Sequence, residues 1–463
     1  IYTLSLHDAL PICLFLRISC MVLFLLCAHP GYAEESGLPV EYSLSLDDAV
    51  RLAYKNNKAI QIQEQEIPAA QADVLNARSG FIPQVNAAAG YTHNGSVLAL
   101  PGTANPKKDP GIFSGYENEN RAGIAVDQTL FSGGANTARL RQASVSVQIA
   151  QETLRARKLD TEFEVKRLYY GLLLAQESAQ IAQSLLDQAK THYDDVSKKY
   201  EQGTASKFDL LQSSVQVSKL APEVINSRNA VDLIGAELKK LLGIEIRKEI
   251  VLHDSFSYSE IDIQEGEFLK TAYMNRPEII LAALGVDIHA WSIELAKSED
   301  RPRVGASLGL DYRSNDIGDM FNDHHSNWNV GVAVRIPLFD GFSSKAKVAA
   351  AEARYAQAEL SKEDLGEQVA VDIRKACLDL EKAKAIIDSQ KDTIREAQEA
   401  LRIAEVSYDN GEATNLDVLD AQVSLSQVRK NLSEGVYDYL MAEAFLNRVM
   451  GRSSLKGGAH EKN

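Results

Sequence analysis

Two adjacent histidines, His324 and His325, lie close in sequence to Asp319 and Asp323. Histidine and aspartate side chains can bind metal ions, so this segment is the candidate metal site of the sequence. Adjacent histidines rarely both serve one tetrahedral metal site unless further ligands come from elsewhere. We therefore interpret the segment as a polar loop and predict no metal site. The sequence also has no glycine-rich turn with a phosphate-binding lysine and no catalytic group of residues. We predict that the protein is not an enzyme and holds no cofactor.

The net charge and the cysteines restrict the partners and bonds that the chain can have. The formal net charge is −15, which leaves no positive surplus to neutralise phosphates and excludes a nucleic-acid partner. Cys377 is the single cysteine after residue 33, so no intramolecular disulfide is expected there. Beyond residue 33 no run of eighteen consecutive apolar residues occurs. We therefore expect no transmembrane helix, and any membrane crossing would fall to strands.

The first 33 residues are set aside from the fold. Residues 2–12 look like a translated sequencing adapter, and we interpret them as an artefact. Arg17, the apolar run at 21–28 and the small residues that follow are typical of a secretory signal cleaved after Ala33. Lipid attachment at Cys27 is disfavoured because a bulky leucine precedes it.

Apolar and polar residues alternate in four segments, which predicts β-strands with one apolar and one polar face. These segments lie at 85–91, 122–126, 304–312 and 328–336. The alternation fits strands between lipid and water, and it fits equally a half-buried sheet of a soluble domain. Tyr91, Tyr312 and Trp328 stand near strand ends, where a membrane interface favours aromatic side chains.

Long helices are predicted where apolar residues recur in alternating steps of four and three. The pattern extends from Leu168 to Tyr200 and again from Ala383 to Tyr408, and it is typical of closely packed antiparallel coiled coils. The first helical run covers 132–202 and would be roughly 100 Å long at the α-helical rise. Glycines at 203 and 411 end these helices. Second helices should return over 208–242 and 416–450, with a kink at Pro222.

The chain repeats itself, which is the strongest single signal in the sequence. The matches at an offset of 219 are 53–56 with 272–275, and Pro83 with Pro302. The matches at an offset of 208 are 130–133 with 338–341, and 200–211 with 408–419. Two homologous halves follow, each containing a helix, two strands and two long helices.

Four strands are too few to close a barrel, for which about eight is the smallest common number. An open sheet in lipid would leave unpaired backbone groups at its edges, which is prohibitively costly. If the strands lie in a membrane, closure must therefore come from several copies of the chain. A coiled-coil rod is the alternative that the helices alone allow, but a rod has no use for two strand pairs.

Residues 42–451 resemble the TolC-type outer-membrane efflux family. The resemblance is carried, in order, by the motifs at 46–50, 128–134, 200–211, 275–278, 336–341 and 408–420. It implies a mainly α fold in which long antiparallel coiled-coil helices form an α-barrel and four β-strands per chain join a trimeric twelve-stranded β-barrel. The implied divisions are a first repeat at 34–243, an equatorial connection at 244–266, a second repeat at 267–451 and a tail at 452–463.

The resemblance also implies where the pore narrows. Asp417 and Asp420 match positions that ring the periplasmic mouth, where three copies would attract cations and raise the pKa of one another's carboxyls. The alternative is a pair of solvated carboxylates at a helix start, which the helix dipole favours. Asp209 and Tyr408 match positions that hold the closed tip together. Ala413 replaces the basic partner expected there, so the closing links must differ.

The function implied by the resemblance is passive conduction from the periplasm through the outer membrane. A homotrimer, surrounded by outer-membrane lipid, would serve as the exit duct of a tripartite efflux or type I secretion system. The turns at Gly203-Thr204-Ala205 and Gly411-Glu412-Ala413 would meet a periplasmic adaptor, and an inner-membrane pump would supply the energy. The competing hypothesis is a periplasmic coiled-coil scaffold without channel activity. The sequence does not identify the cargo.

Overall fold

The computed structural model describes residues 42–94, 118–321 and 326–453. The chain divides into two units, residues 1–42 with 247–251 and residues 43–246 with 252–463. Of the first unit, the structure describes only residue 42 and residues 247–251. The predictions for the leader at 1–33, for Cys27, for His324-His325 and for most of the tail at 452–463 lie outside the described residues.

The described residues form eight α-helices and six strands. The helices are α1 (Leu46–Asn56), α2 (Lys58–Ser79), α3 (Ala135–Glu201), α4 (Lys207–Leu242), α5 (Glu265–Asn275), α6 (Pro277–Lys297), α7 (Ser343–Asp409) and α8 (Asn415–Val449). The strands are β1 (Tyr42–Leu44), β2 (Gln84–His93), β3 (Asn118–Phe131), β4 (Ile250–Leu252), β5 (Arg303–Ser314) and β6 (Ser326–Arg335). The fold is mainly α, as the sequence predicts.

Two helices, rather than the single one predicted, precede each strand pair. In the first half the break falls at Asn57, whose side-chain oxygen accepts from the backbone N–H groups of Ala59 and Ile60. An asparagine in that position caps a new helix and ends the previous one. In the second half Pro277 opens α6 at the first helical position, where the missing proline N–H costs nothing.

Helices α3 and α7 are both 67 residues long, which corresponds to about 100 Å at the α-helical rise. The bounds of α3 lie within three residues of the predicted run at 132–202. Each helix packs against its returning partner through the predicted apolar seam, and the buried members include Leu186, Ala189, Ala383 and Ile387. Helix α4 continues through Pro222 without interruption. The kink expected at that proline stays a prediction.

Four strands form one antiparallel sheet in the order β2-β3-β5-β6. Strands β2 and β6 are its two edges, and neither has a second neighbour within the described chain. The apolar residues of β6 (Val330, Val332 and Val334) are exposed, so no helix of the chain covers that face. A half-buried sheet of a soluble domain would bury one face. The exposed apolar face therefore favours the membrane alternative.

Helix α6 corrects the expectation that the chain has no membrane-length apolar helix. Together with the turn that follows it, through Asp300, it is long and apolar enough to cross a membrane by length and composition. The prediction missed it because Asp287 and Glu294 interrupt the apolar run. Within the chain α6 lies beside α3 and α7, and Gln142 of α3 donates a hydrogen bond to Ser292 at 2.9 Å. Only 6% of the apolar stretch is buried within the chain, although α6 lies along two other helices.

A buried ion pair lies where α3 meets the returning helices. Lys166 and Glu162 are 2.8 Å apart, and both side chains are almost fully buried. The Tyr54 hydroxyl donates to Glu162 at 2.9 Å. Burial raises the pKa of the nearby Glu443 carboxyl above its ordinary value, and the positive charge of Lys166 opposes that shift. Glu443 is therefore more easily protonated in the folded chain than in the unfolded chain.

We expect Glu443→Gln to stabilise the protein at pH 8 and to have little effect near pH 4. A raised folded-state pKa contributes stability that is complete below the unfolded value and is lost as the pH rises through the folded value. The glutamine removes that loss. Thermal unfolding midpoints in detergent at both pH values test the expectation, with Glu434→Gln, in a solvent-exposed pair with Lys430, as the control. Equal shifts at both pH values would contradict it.

Candidate functional site at the hairpin tips

Each long helical hairpin turns through a glycine in the left-handed conformation. Gly203 has φ +77° and Gly411 has φ +79°, and an L-residue with a side chain rarely adopts such values. In the first turn the N–H of Thr204 donates to the carbonyl of Lys199 at 2.8 Å. In the second the N–H of Glu412 donates to the matching carbonyl of residue 407 at 2.8 Å. The two tips thus end their helices in the same way.

The six residues predicted to meet an adaptor all lie at these two turns. Gly203, Thr204, Gly411 and Glu412 are exposed, whereas Ala205 and Ala413 are partly covered. Large apolar side chains also remain exposed beside the turns, namely Phe208, Leu211 and Val215 on α4 and Leu416 and Val423 on α8. Phe208, Leu211 and Val215 have the three-and-four spacing of one helix face. The tips therefore present backbone turns flanked by an unpartnered apolar stripe.

Asp209 and Asp417 have the same local role in the two hairpins. Each is the third residue of its helix and forms a capping box with the residue before the helix, Ser206 or Thr414. The Thr414 hydroxyl donates to the Asp417 carboxylate at 2.7 Å, and its backbone N–H donates at 2.7 Å. These bonds lower the pKa of Asp417 below its ordinary value. The rise expected from neighbouring carboxylates therefore requires other copies of the chain.

Asp420 differs from Asp417 in having no place in a helix cap. It is exposed on α8, three residues after Asp417 and on the same face of the helix. The matching residue of the first hairpin is Gln212, which is neutral. Helix capping explains an aspartate at 417 but not one at 420.

Asn415 joins the two hairpins through a buried set of hydrogen bonds. Its side chain is only 2% exposed. Its oxygen lies 2.6 Å from Nε2 of His192 and accepts from the Ser213 hydroxyl at 3.1 Å. Its side-chain N–H group donates to Gln212 at 3.0 Å. Sequence reasoning missed this link, although a histidine beside the apolar seam of α3 was a signal that could have drawn attention to it.

A cation reaches Tyr408 from the opposite hairpin. Nζ of Lys199 lies 4.1 Å from the centre of the Tyr408 ring and 2.9 Å from the carboxylate of Asp409. The ring also contacts that of His192, with centroids 5.3 Å apart. Burial, followed by the charges of Asp209 and Asp409, raises the pKa of Tyr408. Lys199 thus places a positive charge beside Tyr408.

No metal or reactive thiol adds to this site. Within residues 42–94, 118–321 and 326–453, no group of three histidine, cysteine or acidic side chains is arranged to hold a metal ion. Cys377 is buried in α7, and burial raises the pKa of its thiol. A buried thiol of raised pKa is a packing group rather than a nucleophile.

Known proteins similar to this chain share its length and its fold. The Vibrio cholerae outer membrane protein TolC is 23% identical over 423 residues, which cover 89% of this chain and 91% of the relative. The Pseudomonas aeruginosa alkaline protease secretion protein AprF is 22% identical over 413 residues, covering 89% and 85%. The Campylobacter jejuni CmeC outer membrane channel superposes with a TM-score of 0.78 at 18% identity, covering 88% of this chain and 85% of that one.

The family model described as outer membrane efflux protein matches residues 49–244 and 268–452. These two segments contain α2–α4 with strands β2 and β3, and α6–α8 with strands β5 and β6, and therefore include both hairpin tips. The match confirms the predicted resemblance, the outer-membrane location and the role as an exit duct. The chain belongs to the outer membrane efflux protein family.

Proposed function

We propose that three copies of this chain form the exit duct of a tripartite efflux or type I secretion system. Strands from all three would close a twelve-stranded barrel in the outer membrane, and the helices would form an α-barrel across the periplasm. The observation that carries the proposal is a four-stranded sheet with two free edges and an exposed apolar face, joined to helices of 67 residues. One copy cannot satisfy that sheet in lipid.

The exposed faces of the helices, like the edges of the sheet, support assembly of several copies. Helix α2 packs on α3, and α6 lies between α3 and α7. The outer faces of the first and last helices in this row keep large apolar side chains exposed, Ile62 and Leu75 on α2 and Leu360 on α7. A neighbouring copy would cover both faces if α7 of one copy met α2 of the next. Apolar surface of this kind is buried when a partner is present.

Two structural repeats per chain account for the match between halves. Helices α3 and α7 have equal lengths, and α4 and α8 differ by one residue. The strand hairpins also agree, because Gln84 pairs with Asp127 and Arg303 pairs with Arg335, the positions reached by the offsets 219 and 208. Six similar hairpin units in a trimer would form a near-symmetric tunnel.

Conduction would be passive and controlled at the tips. Asn415, His192 and Lys199 link the two hairpins of one copy and would favour a closed mouth. A periplasmic adaptor bound to the exposed turns and the apolar stripe at Phe208 would separate the hairpins. An inner-membrane pump would deliver the substrate and supply the energy.

Outer-membrane fractionation, heat-dependent gel migration and planar-bilayer recording test the proposal together. We expect a detergent-extracted trimer that inserts into bilayers and conducts ions. A monomer that stays soluble without detergent would contradict the duct and favour the periplasmic scaffold.

We expect Asp420→Asn to weaken the preference of the open pore for cations. Three exposed carboxylates at the mouth would attract cations, and the change removes them while keeping the shape of the side chain. Asp417→Asn with Asp420→Asn should weaken the preference further, although the first change also disturbs the Thr414 cap. The reversal potential in a salt gradient measures the effect. The control is Asp392→Asn, which changes an exposed aspartate elsewhere on α7. Unchanged selectivity in both tip variants would mean that Asp417 and Asp420 do not line the mouth of the pore.

A further inference from the structure

The pairing of strands within one copy predicts how the edge strands of neighbouring copies would pair. Strands β3 and β5 join the first half to the second half, and in a closed ring β6 of one copy would join β2 of the next. Both contacts therefore place the second strand of one half beside the first strand of another. Since the two hairpins have the same internal register, the register of β3 with β5 can be carried to β6 with β2.

The repeat offsets of 208 and 219 identify which residues of β6 and β2 would pair in that register. Ile124 of β3 pairs with Leu310 of β5. The offsets 208 and 219 take these residues to Val332 and Tyr91, which are 67% and 63% exposed in the single chain. Among the described residues no other strand pairs with the outer edge of either β2 or β6. Tyr91 of the next copy is therefore the partner that the repeat assigns to Val332.

The residues where the strands meet the helices can be compared between the two seams in the same way. Inside the chain, Arg301 donates to the carbonyl of Gly133 at 3.1 Å, and a Cβ placed on Gly134 would lie 3.2 Å from the guanidinium. The residues that match Gly134 and Arg301 at the other seam are Phe342 and Ile82. A glycine beside an arginine is thus replaced by a phenylalanine and an isoleucine. The polar contact within the chain would be matched by an apolar pair between copies.

Phe342 has an unfavourable backbone conformation, and its contacts within a single copy do not account for it. Its φ is +69°, and no other residue except glycine in the described chain has a positive φ. The left-handed conformation crowds a side chain against the backbone and costs free energy. Yet the ring is 68% exposed and contacts Phe339 edge-on at 5.5 Å. Burial by a neighbour would offset that cost, and Ile82 is also exposed.

We propose that β6 pairs with β2 of the next copy in the register that sets Val332 beside Tyr91, and that Phe342 packs on Ile82 of that copy. The proposal rests on the trimeric duct and adds to it a specific seam, with a second copy of this chain as the occupant. Lipid at the membrane surface is the competing occupant for Phe342.

Cysteine pairs test the register in the full-length protein extracted from outer membranes. Cys377 is buried and is replaced by alanine as the background. We expect Tyr91→Cys with Val332→Cys to give covalent trimers, about ten-fold more than Ala87→Cys with Val332→Cys, because a disulfide requires Cα atoms within about 7 Å. The second pair is four residues out of register. A conducting trimer that cross-links through the shifted pair instead, or through neither pair, would overturn the register and leave the duct intact.

A double-mutant cycle tests the junction. Phe342→Gly relieves the strained backbone, yet we expect it to lower the temperature at which the trimer dissociates on a gel. Ile82→Ala should lower that temperature as well, and the two changes together should cost less than their sum because they remove one contact. Additive effects, or a higher dissociation temperature for Phe342→Gly, would assign the ring to lipid or solvent. A wild-type chain that forms no oligomer would instead refute the proposed duct itself.

Discussion

Asn415→Ala is expected to raise the open probability of the channel about thirty-fold, through a loss of about 2 kcal/mol from the closed tip. The change leaves His192, Ser213 and Gln212 without their shared partner in a buried position. Ser213 keeps its bond to the carbonyl of Asp209, but the other two groups must find water or another partner, which the open arrangement would allow more readily than the closed one. Single-channel recording without adaptor measures the open probability directly.

The first hairpin provides a matched control for this change. Lys207 occupies the position that corresponds to Asn415 and is exposed, so Lys207→Ala should leave the open probability unchanged. Lys199→Gln should raise the open probability less than Asn415→Ala does, since the Asp409 end of the ion pair is exposed to solvent. A folded Asn415→Ala trimer that conducts like the wild type would show that the buried link does not control the mouth.

Gly451→Ala is expected to prevent stable assembly, with a loss of at least about 3 kcal/mol. Gly451 has φ +68° at the end of α8. A Cβ there would lie 2.7 Å from the carbonyl carbon of Asn275 and 2.9 Å from Cα of Arg276. Both are backbone atoms, so no side chain can move aside to make room. The segment between α5 and α6 would have to shift.

Gly411→Ala separates this clash from the backbone strain alone. Gly411 has φ +79°, and nothing lies within 4 Å of a Cβ built on it. We expect a cost of only about 1 kcal/mol there, the strain of one left-handed residue. Thermal unfolding midpoints and the yield of trimer in outer membranes compare the two variants. Equal losses for both would mean that the packing at Asn275 is not rigid.

Periodicity and repetition predicted the elements of this chain well, because both are local properties of the sequence. Alternation along 304–312 predicted β5, and the helical run at 132–202 predicted α3 close to its observed ends. The repeat then transferred each element to the other half. The breaks at Asn57 and Arg276 were missed, although an asparagine cap at 57 and a proline directly after 276 are both signals of a helix start.

The tip could be located from the sequence, but its links could not be derived. Asn415 follows a helix cap, where an exposed polar residue is ordinary, and only the packing of one hairpin on the other buries it. Its partners His192 and Ser213 lie 223 and 202 residues away in the chain. The matching positions in the second half are alanines, so the repeat gave no second example of the link. Contacts of this kind depend on tertiary structure alone.

Within the described residues β2 and β6 each have one strand neighbour, which would make the interval between secretion and assembly hazardous for this protein. A copy that has folded its sheet but has not met its neighbours presents two rows of unbonded amides and carbonyls beside exposed valines. Such an edge accepts any extended chain, and two identical edges can stack into fibrils. If three copies assemble as proposed, productive biogenesis would depend on a low concentration of lone copies in the periplasm, or on a holding factor that masks their edges until insertion.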